Sequence, residues 1–485
     1  MGPHDDAPGD TPAPAPVRNG MTDEEFRAAG HALVDWVADH MAGVRERPVT
    51  PSVAPGDLRA TLGAAPPEDG ESFEELLADL DLLRPGLVEW QHPNWFAYFP
   101  TGASYPSVLA EFAAAALGQQ GMLWSTSPAT TELEVHVLDW FVDLLGLPAA
   151  WRSDGAGGGV LQHSASDATL TALVAARHRA APDDAGRAVV YASSQAHSSI
   201  EKGARIAGYR HVHSLPVDDE YALRPDALRD AIAADREAGL VPACVVACIG
   251  TTGTTAVDPV REIAEVARDE GLWCHVDAAY AGAAMLLPEV RHHQDGLELA
   301  DSYVWNPHKW LGTNFDCSVF HVADRAPLLD AMSILPPYLR DAASTDPAAP
   351  DLRDWHVPLG RRPRALKLWW VLRTYGTEGL RRILRDHLAW AAWLDEQVTA
   401  HPRLELVAPT TFGLVSLAHV DGNEATDAIT RALNDSQEVA VTGSVLHGEG
   451  LPADGRAYLR LSVGSMLTEF RDVEDLWRRI LAAAD

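Results

Sequence analysis

Positive charge is scarce in this 485-residue chain. Its 38 lysine and arginine residues face 69 aspartate and glutamate residues, which gives a formal net charge of −31. A protein that binds nucleic acid or an anionic membrane needs basic patches to neutralise phosphates, so this balance argues against both kinds of partner. Lysine is rarer still, because only Lys202, Lys309 and Lys367 occur and arginine supplies every other basic side chain.

Cysteine and long apolar runs are also scarce. The four cysteines form no CxxC pair, so we predict buried reduced thiols in place of a disulfide framework or a zinc site. No run approaches the roughly 18 continuous apolar residues that a membrane-spanning helix needs. Residues 1–20 are acidic and rich in proline and glycine, without the apolar core of a signal peptide. We therefore expect a disordered tail there and a cytoplasmic protein.

The remaining chain falls into three predicted parts. Residues 21–103 form a helical segment, residues 104–375 a large α/β domain, and residues 376–485 a smaller α+β domain. In the large domain, helical stretches alternate with short strand-like runs such as RAVVYAS, ACVVACIG, GLWCHVDA and DSYVWN. This alternation is typical of a mostly parallel sheet covered by helices on both faces.

Lys309 lies in the stretch SYVWNPHKWLG, just past a strand-like run. Lysine, unlike arginine, can lose its proton and attack a carbonyl. Asp277 ends the preceding run, GLWCHVDAAY, and ligands of open α/β sheets bind outside the carboxyl ends of the strands. A lysine and an aspartate in one crevice suit pyridoxal phosphate, since the lysine can form a Schiff base with the cofactor and the aspartate can keep its pyridine nitrogen protonated.

Three further features fit the same cofactor. Ser164, Ala165 and Ser166 precede an amphipathic helix whose first amides and hydroxyls would bind a phosphate. His197 follows the run AVVYAS, where its ring could stack on the cofactor, and Thr252 follows another strand-like run. Each of these residues alone is more often structural than functional. Their joint position after successive strands favours a cofactor site.

Two histidine pairs are candidate metal ligands. His211 and His213 would share one face of a strand, and His292 and His293 are adjacent. A protein metal site needs three or four ligands, and no further ligands accompany these pairs in the sequence. We predict no metal site.

Six stretches resemble the pyridoxal-phosphate-dependent group II decarboxylases, and within them the aromatic-L-amino-acid decarboxylases. These stretches are HPNWFAYFPTGASYPSVLAEF, SPATTELEVHVLDW, QAHSSIEKGA, HVDAAYAG, NPHKW and WHVPLGRRPRALKLWW. The resemblance implies fold type I and a homodimer with active sites at the subunit interface, to which residues 21–103 would contribute contacts. It also implies loss of the α-carboxylate from an aromatic L-amino acid.

The resemblance implies roles for individual residues as well. Lys309 would carry the cofactor, Asp277 would pair with its ring nitrogen, and Ala279 and His197 would pack on the two ring faces. The phosphate would be surrounded by Ser164, Ala165, Ser166, Asn306 and His308, with Thr252 nearby. Tyr338, in the loop ILPPYLRDAASTDP, would correspond to the proton donor of the family. The substrate pocket would be lined by Trp90, Tyr98, Phe99, Pro100, Thr101, Met122 and Gly360.

The substrate that we expect is inferred from positions at which this chain departs from the family pattern or at which members of the family differ from one another. His163 replaces the glycine that usually precedes the SAS motif, and Met122 replaces an aromatic residue of the GFSW motif. Gly360 occupies a position at which glycine accompanies indole substrates in plant members of the family. We expect tryptophan as the favoured substrate, with phenylalanine, tyrosine or DOPA also accepted, and an arylalkylamine and CO2 as products. An aromatic aldehyde synthase, a histidine decarboxylase and a non-catalytic scaffold are the alternatives.

Overall fold

The computed structural model describes residues 20–334, 350–448 and 451–484, and Tyr338 lies outside these ranges. The chain divides into two compact units, residues 1–89 and residues 90–485. In the described ranges, no helix is long and apolar enough to cross a membrane.

The first unit is helical and has almost no core of its own. Its helices are α1 (Asp23–Ala42), α2 (Asp57–Thr61) and α3 (Phe73–Leu83). A capping box begins α1: the Thr22 hydroxyl accepts a hydrogen bond from the Glu25 N–H at 3.2 Å, and the Glu25 carboxylate accepts one from the Thr22 N–H at 2.7 Å. Val44 and Val49 are the only buried apolar side chains among the described residues of this unit.

The second unit contains a seven-stranded sheet in the order β1-β7-β6-β5-β4-β2-β3. Its strands are β1 (Gly158–Gln162), β2 (Ala188–Ser193), β3 (His211–Leu215), β4 (Val241–Cys248), β5 (Trp273–Asp277), β6 (Ser302–Trp305) and β7 (Ser318–Val322). The strands from β6 to β3 pair in parallel, whereas β7 runs antiparallel to both β1 and β6. The predicted mostly parallel sheet is confirmed.

Helices cover both faces of this sheet. They are α4 (Tyr105–Leu117), α5 (Pro128–Leu145), α6 (Ala165–Ala180), α7 (Ser199–Ile206), α8 (Pro225–Glu237), α9 (Val260–Glu270), α10 (Pro307–Trp310) and α11 (Ala326–Met332). Along β4, Cys244 and Val246 point into one buried cluster and Val245 and Ala247 into the other. Because the strand is buried on both faces, its sequence is continuously apolar instead of alternating.

A smaller four-stranded sheet follows towards the C-terminus. Its strands are β8 (Leu404–Leu406), β9 (Leu414–His419), β10 (Thr442–Leu446) and β11 (Arg456–Ser462), paired antiparallel in the order β10-β11-β9-β8. Its helices are α12 (Ala365–Ala400), α13 (Asn423–Asp435) and α14 (Phe470–Ala484). Gly376, at φ 65°, interrupts α12 with non-helical geometry, a conformation that glycine adopts without steric cost.

Candidate active site

A cavity of about 190 Å³ lies at the carboxyl ends of β4, β5 and β6. The parallel order of these strands brings Cys248, Asp277 and Asn306 to one edge of the sheet, as expected for a ligand site in an open α/β sheet. Every residue that the sequence predicts for the cofactor lines this cavity, which we call the cofactor cavity. These residues are Ser164, Ala165, Ser166, His197, Thr252, Asp277, Ala279, Asn306, His308 and Lys309. The individual roles assigned to them remain predictions.

Lys309 lies in the short helix α10, directly after β6. Burial lowers the pKa of its ammonium group from 10.5 to about 8, against the opposing attraction of Asp277. Its Nζ lies 4.9 Å from the centre of the Phe99 ring. A substantial fraction of the side chain is therefore the neutral amine near neutral pH, which is the nucleophilic form.

Asp277 ends β5 and is 8% exposed. One carboxylate oxygen accepts a hydrogen bond from the Ala279 N–H at 2.9 Å, which fixes the orientation of the side chain. Its charge acts on the titration of both Lys309 and His197, so the carboxylate is the negative centre of the cavity. Such a group can hold a proton on a basic ring nitrogen.

His197 lies on the loop between β2 and α7. Its Nδ1 accepts the Ser199 N–H at 3.1 Å and lies 2.8 Å from the Ser199 hydroxyl. Loss of solvent lowers the pKa of the ring, with Lys309 adding to the effect. Because Nδ1 accepts an amide hydrogen, the neutral ring carries its proton on Nε2. The backbone thus fixes both tautomer and orientation.

The cavity also contains groups that suit a phosphate. Ser164 caps α6, its hydroxyl accepting the Asp167 N–H at 3.2 Å, so the positive end of a 16-residue helix faces the cavity. His308 accepts the Cys317 N–H at its Nδ1 at 2.9 Å, and burial lowers its pKa to about 3. The neutral ring therefore offers its Nε2–H as a donor. Buried Asn306 has a side-chain oxygen without a hydrogen-bond partner among the described residues, so this oxygen can accept a hydrogen bond from a ligand.

These features fit pyridoxal phosphate. One cavity contains a helix N-terminus, a neutral imidazole donor, a lysine with a lowered pKa and a carboxylate, which are the groups that the phosphate, aldehyde and pyridine nitrogen of the cofactor require. In the described ranges, no group of three or more histidine, cysteine, aspartate or glutamate side chains is placed to hold a metal ion.

The sequence did not identify Arg460, which lies beside Phe99, or five further residues that line the cavity: Ser199, Cys248, Gly250, Thr251 and Tyr280. Tyr280 lines the cavity and stacks on Phe99 with a centroid distance of 4.0 Å, and Trp310 stacks on its other face at 4.7 Å. Arg460, from β11 of the small sheet, lies 5.2 Å from the Phe99 ring and is 4% exposed. The polar position within the apolar run YLRLSV was the available signal for Arg460.

Of the predicted substrate residues, only Phe99 lines the cofactor cavity. The exposed rings of Trp90 and Tyr98 pack against the buried ring of Trp95. Buried Pro100 and half-buried Thr101 follow Phe99 in the chain but do not line the cavity.

Met122 and Gly360 also lie outside the lining of the cavity. Met122 contacts Arg353 through its backbone carbonyl, and a Cβ at Gly360 would meet Gln120 at 3.2 Å. Neither residue therefore contributes to the cofactor cavity of its own chain. His163, which departs from the family pattern, lies 3.3 Å from the Asp167 carboxylate.

Comparison with known proteins agrees with this geometry. Residues 55–419 match the family described as the pyridoxal-dependent decarboxylase conserved domain. Tryptophan decarboxylase 2 of Oryza sativa subsp. japonica is 40% identical over 474 residues, covering 94% of each chain. Aromatic-L-amino-acid decarboxylase of Bos taurus is 40% identical over 475 residues, covering 95% of this chain and 96% of the relative.

A solved structure gives the same result. The crystal structure of Oryza sativa TDC with PLP and tryptamine superposes with a TM-score of 0.91 at 38% identity, covering 96% of this chain and 98% of the other. The similarity therefore spans both sheets and the cofactor cavity, and the resemblance inferred from the motifs is confirmed. With the family match over residues 55–419, it shows that the chain belongs to the pyridoxal-dependent decarboxylases.

Proposed function

We propose that this protein removes the α-carboxylate of aromatic L-amino acids, with tryptophan favoured, and releases the arylalkylamine and CO2. The observation that carries the proposal is the position of Lys309: its depressed pKa and its 4.9 Å distance from a flat aromatic ring occur in the same cavity as Asp277. The relatives named for tryptophan and aromatic-L-amino-acid decarboxylation support the same substrate class.

The residues of the cofactor cavity would have different roles in the reaction. Bound pyridoxal phosphate supplies an electron sink for the electron pair left at the substrate Cα. Asp277 would hold the proton that makes the cofactor ring electron-poor, and His197, whose tautomer is fixed by the Ser199 N–H, would pack against that ring. Ser164 and His308 would bind the phosphate, and the neutral amine of Lys309 would attach the cofactor.

The aromatic preference follows from the walls near Lys309. Phe99 and Tyr280 present stacked apolar faces, and Trp90 and Tyr98 extend the aromatic surface outwards. Placing the second carboxylate of glutamate against such walls would remove its hydration without a partner, which costs several kcal/mol. Histidine has a smaller and more polar flat ring, so it is the nearest competitor.

A competition assay tests the function. Tryptophan, phenylalanine, tyrosine, DOPA, histidine and glutamate are mixed in one reaction, and CO2 release and each amine are measured to rank kcat/KM. We expect a large aromatic amino acid to rank first. Lys309→Ala serves as the inactive reference, and Lys202→Ala, at an exposed lysine, should retain activity. A preference for histidine or glutamate over every large aromatic substrate would overturn the proposal.

The homodimer of the proposal is supported by surfaces that one chain leaves open. Tyr105, Leu109 and Phe112 recur along one face of α4 and are 53%, 47% and 47% exposed. Met122 and Gly360 lie outside the cofactor cavity of their own chain. A second copy that covers α4 and receives Met122 and Gly360 at its own cavity accounts for both observations.

The cytoplasm is the compartment that we propose. All four cysteines are free and buried, which is usual for proteins of reducing compartments.

A further inference from the structure

Glu134 and Arg361 form a buried ion pair outside the lining of the cofactor cavity. The Arg361 Nη2 lies 2.5 Å from the Glu134 Oε1, and the two side chains are 2% and 3% exposed. Removing two charges from water is costly, and the attraction within the pair offsets this cost only if the remaining polar atoms also find partners. The groups that the pair binds therefore indicate what it positions.

The first of these groups is the backbone at the edge of the large sheet. β1 is the strand at one edge, beside β7, so the backbone groups on its other side need partners from outside the sheet. At Leu161 the ion pair supplies both partners. The Glu134 carboxylate accepts the Leu161 N–H at 2.7 Å, and Arg361 donates to the Leu161 carbonyl at 2.9 Å. The two side chains thus take the place of a neighbouring strand.

The end of β1 leads directly into the residues predicted to bind the cofactor phosphate. Residues 164–166, which we call the phosphate segment, begin three positions after Leu161 and line the cofactor cavity. A further bond, from the Gln162 amide to the Trp355 carbonyl at 3.1 Å, holds the end of the same strand. A displacement of β1 along its edge would therefore move the hydroxyls and amides of the phosphate segment.

The second group that Arg361 binds is the turn containing Met122. Its Nη1 donates to the Gly121 carbonyl at 3.2 Å, and its backbone N–H donates to the Gln120 side-chain oxygen at 2.7 Å. The Gly121 N–H in turn donates to the Arg361 carbonyl at 3.0 Å. Met122 and Gly360, which we call the outer wall, are the chain neighbours of these bonded residues. The same arginine therefore fixes both residues of the outer wall.

We propose that Glu134 and Arg361 are positioning residues that connect the two active sites of the dimer. In its own chain, the pair sets the phosphate segment. Through the same arginine, it sets the outer wall that the cavity of the partner receives. The role of the outer wall rests on the proposed function, whereas the connection to the phosphate segment rests on the two hydrogen bonds at Leu161.

The geometry of this connection requires arginine. The planar guanidinium places one nitrogen at Glu134 and the Leu161 carbonyl and the other at the Gly121 carbonyl. A lysine would keep a positive charge opposite Glu134, but its single nitrogen cannot occupy both positions. Arg361→Lys should therefore preserve the buried pair and lose the connection between the two segments.

Three variants separate this connection from general stability. Arg361→Lys retains the charge, and Arg361→Met combined with Glu134→Gln removes both charges, so that neither variant leaves an unpaired charge buried. The control combines Arg179→Met with Asp301→Asn. These residues form an ion pair of 2.6 Å outside the cavity lining, and Arg179 lies in the last turn of α6, at the opposite end from the phosphate segment.

Cofactor affinity is measured first, because it requires no turnover. Pyridoxal phosphate is titrated into each cofactor-free protein, and the urea midpoint of the same samples reports stability. We expect the Kd for the cofactor to rise about tenfold in both Arg361 variants, as for one lost charge-assisted hydrogen bond, and to be unchanged in the control whatever happens to its midpoint. An unchanged Kd in the Arg361 variants, or an equal rise in the control, would overturn the proposal.

Mixed dimers of differently tagged chains then separate the two ends of the connection. One chain of each dimer carries Lys309→Ala, so that only the cavity of the other chain, the active chain, is functional. Arg361→Lys is introduced either into the active chain or into the Lys309→Ala chain. The first placement alters the phosphate segment of the functional cavity. The second alters only the outer wall that this cavity receives.

The two placements should have different effects. In the active chain, Arg361→Lys should raise the cofactor Kd about tenfold, measured by the absorbance of the lysine-bound cofactor, and leave the KM for tryptophan at saturating cofactor unchanged. In the Lys309→Ala chain, it should raise the KM several-fold and leave the cofactor Kd unchanged. Identical effects of both placements, or an unchanged KM in the second, would overturn the connection between the sites.

The outcomes distinguish this proposal from the proposed function. A protein that releases CO2 from tryptophan but shows no change of cofactor Kd in the Arg361 variants would retain its function and lose the connection. A protein that releases no CO2 from aromatic amino acids would overturn the proposed function and, with it, the role of the outer wall. The tenfold change of cofactor Kd would then support only the positioning of the phosphate segment.

Discussion

At the scale of single residues, the chemistry centres on the protonation of Lys309. The sequence identified this lysine because lysine is so rare in the chain and because Asp277 ends the neighbouring strand. Arg460 and Tyr280 could not be assigned in the same way. Arg460 reaches the cavity from a different sheet, and Tyr280 is distinguished only by its stacking on Phe99 and Trp310. Contacts between distant segments leave no periodic signal in a single sequence.

The depressed pKa of Lys309 predicts how cofactor uptake depends on pH. Only the neutral amine attacks the cofactor aldehyde, and burial lowers its pKa to about 8. The rate at which cofactor-free protein takes up pyridoxal phosphate should therefore rise with pH up to about 8 and level off above it. An unperturbed lysine would keep gaining rate towards 10.5, its ordinary pKa. Stopped-flow absorbance between about pH 6.5 and 9.5 distinguishes the two curves, and a rate still rising at the upper end would contradict the prediction.

Tyr338 carries a prediction that comes from the sequence alone, because it lies outside the described residues. If its hydroxyl protonates the substrate Cα, Tyr338→Phe should keep cofactor binding nearly unchanged and should shift the products from amine towards aldehyde, ammonia and peroxide under air. Product ratios in air and under nitrogen are the measurement. Tyr375→Phe, at a tyrosine on α12, is the matched control. Undiminished amine formation by the Tyr338 variant would assign the proton to another group.

At the scale of elements, the pattern of apolar residues predicted most strands and helices, because a buried face requires apolar side chains at regular positions in the sequence. The run ACVVACIG became β4, whose side chains enter two different cores. The direction of a strand cannot be predicted from this pattern: β7 has the same apolar character as β4 but runs antiparallel to its neighbours. Its direction is set by the short connection through α10, which the pattern of apolar residues does not encode.

The exposed face of α4 predicts the effect of added charge. Leu109→Glu combined with Phe112→Glu should produce monomers in light-scattering chromatography, because two carboxylates in a buried interface cost several kcal/mol when they have no partner. Ile206→Glu is the control, at an apolar residue of α7 that is 63% exposed. Dimers that persist in the α4 variant would mean that another surface joins the subunits.

At the scale of the whole molecule, the proposed dimer decides whether an active site belongs to one chain or to two. The cofactor cavity of a single chain contains the lysine, the aspartate and the phosphate end, but it lacks Met122 and Gly360. The sequence placed these residues in the substrate pocket through resemblance to a family of dimers. Their position outside the cavity of their own chain is what such a shared pocket would require.

Mixing two inactive variants tests the shared pocket. Lys309→Ala removes the lysine of one site, and Gly360→Trp should block the pocket of the partner while being tolerated by its own exposed backbone. Each mixed dimer would then hold one intact site, so co-expression of the two inactive chains should restore about a quarter of the normal activity when they pair at random. Co-expression of Lys309→Ala with Asp277→Ala is the control: both residues line the cofactor cavity of their own chain, so each site of a mixed dimer carries one of the two changes and no activity should return. Gly360→Trp chains that stay fully active alone would place the substrate pocket elsewhere.

The pairing of β1 with β7 has a consequence for biosynthesis. These two neighbours are the first and the last strands of the large sheet to leave the ribosome, and Ser164 follows the first while Lys309 precedes the second. The nascent chain therefore carries an unpaired edge on β1 during the synthesis of the five intervening strands, which is when it is most open to chaperones or to misassembly. Because Ser164 and Lys309 are separated in the chain by five strands, both can hold the cofactor only after β6 and α10 have been translated.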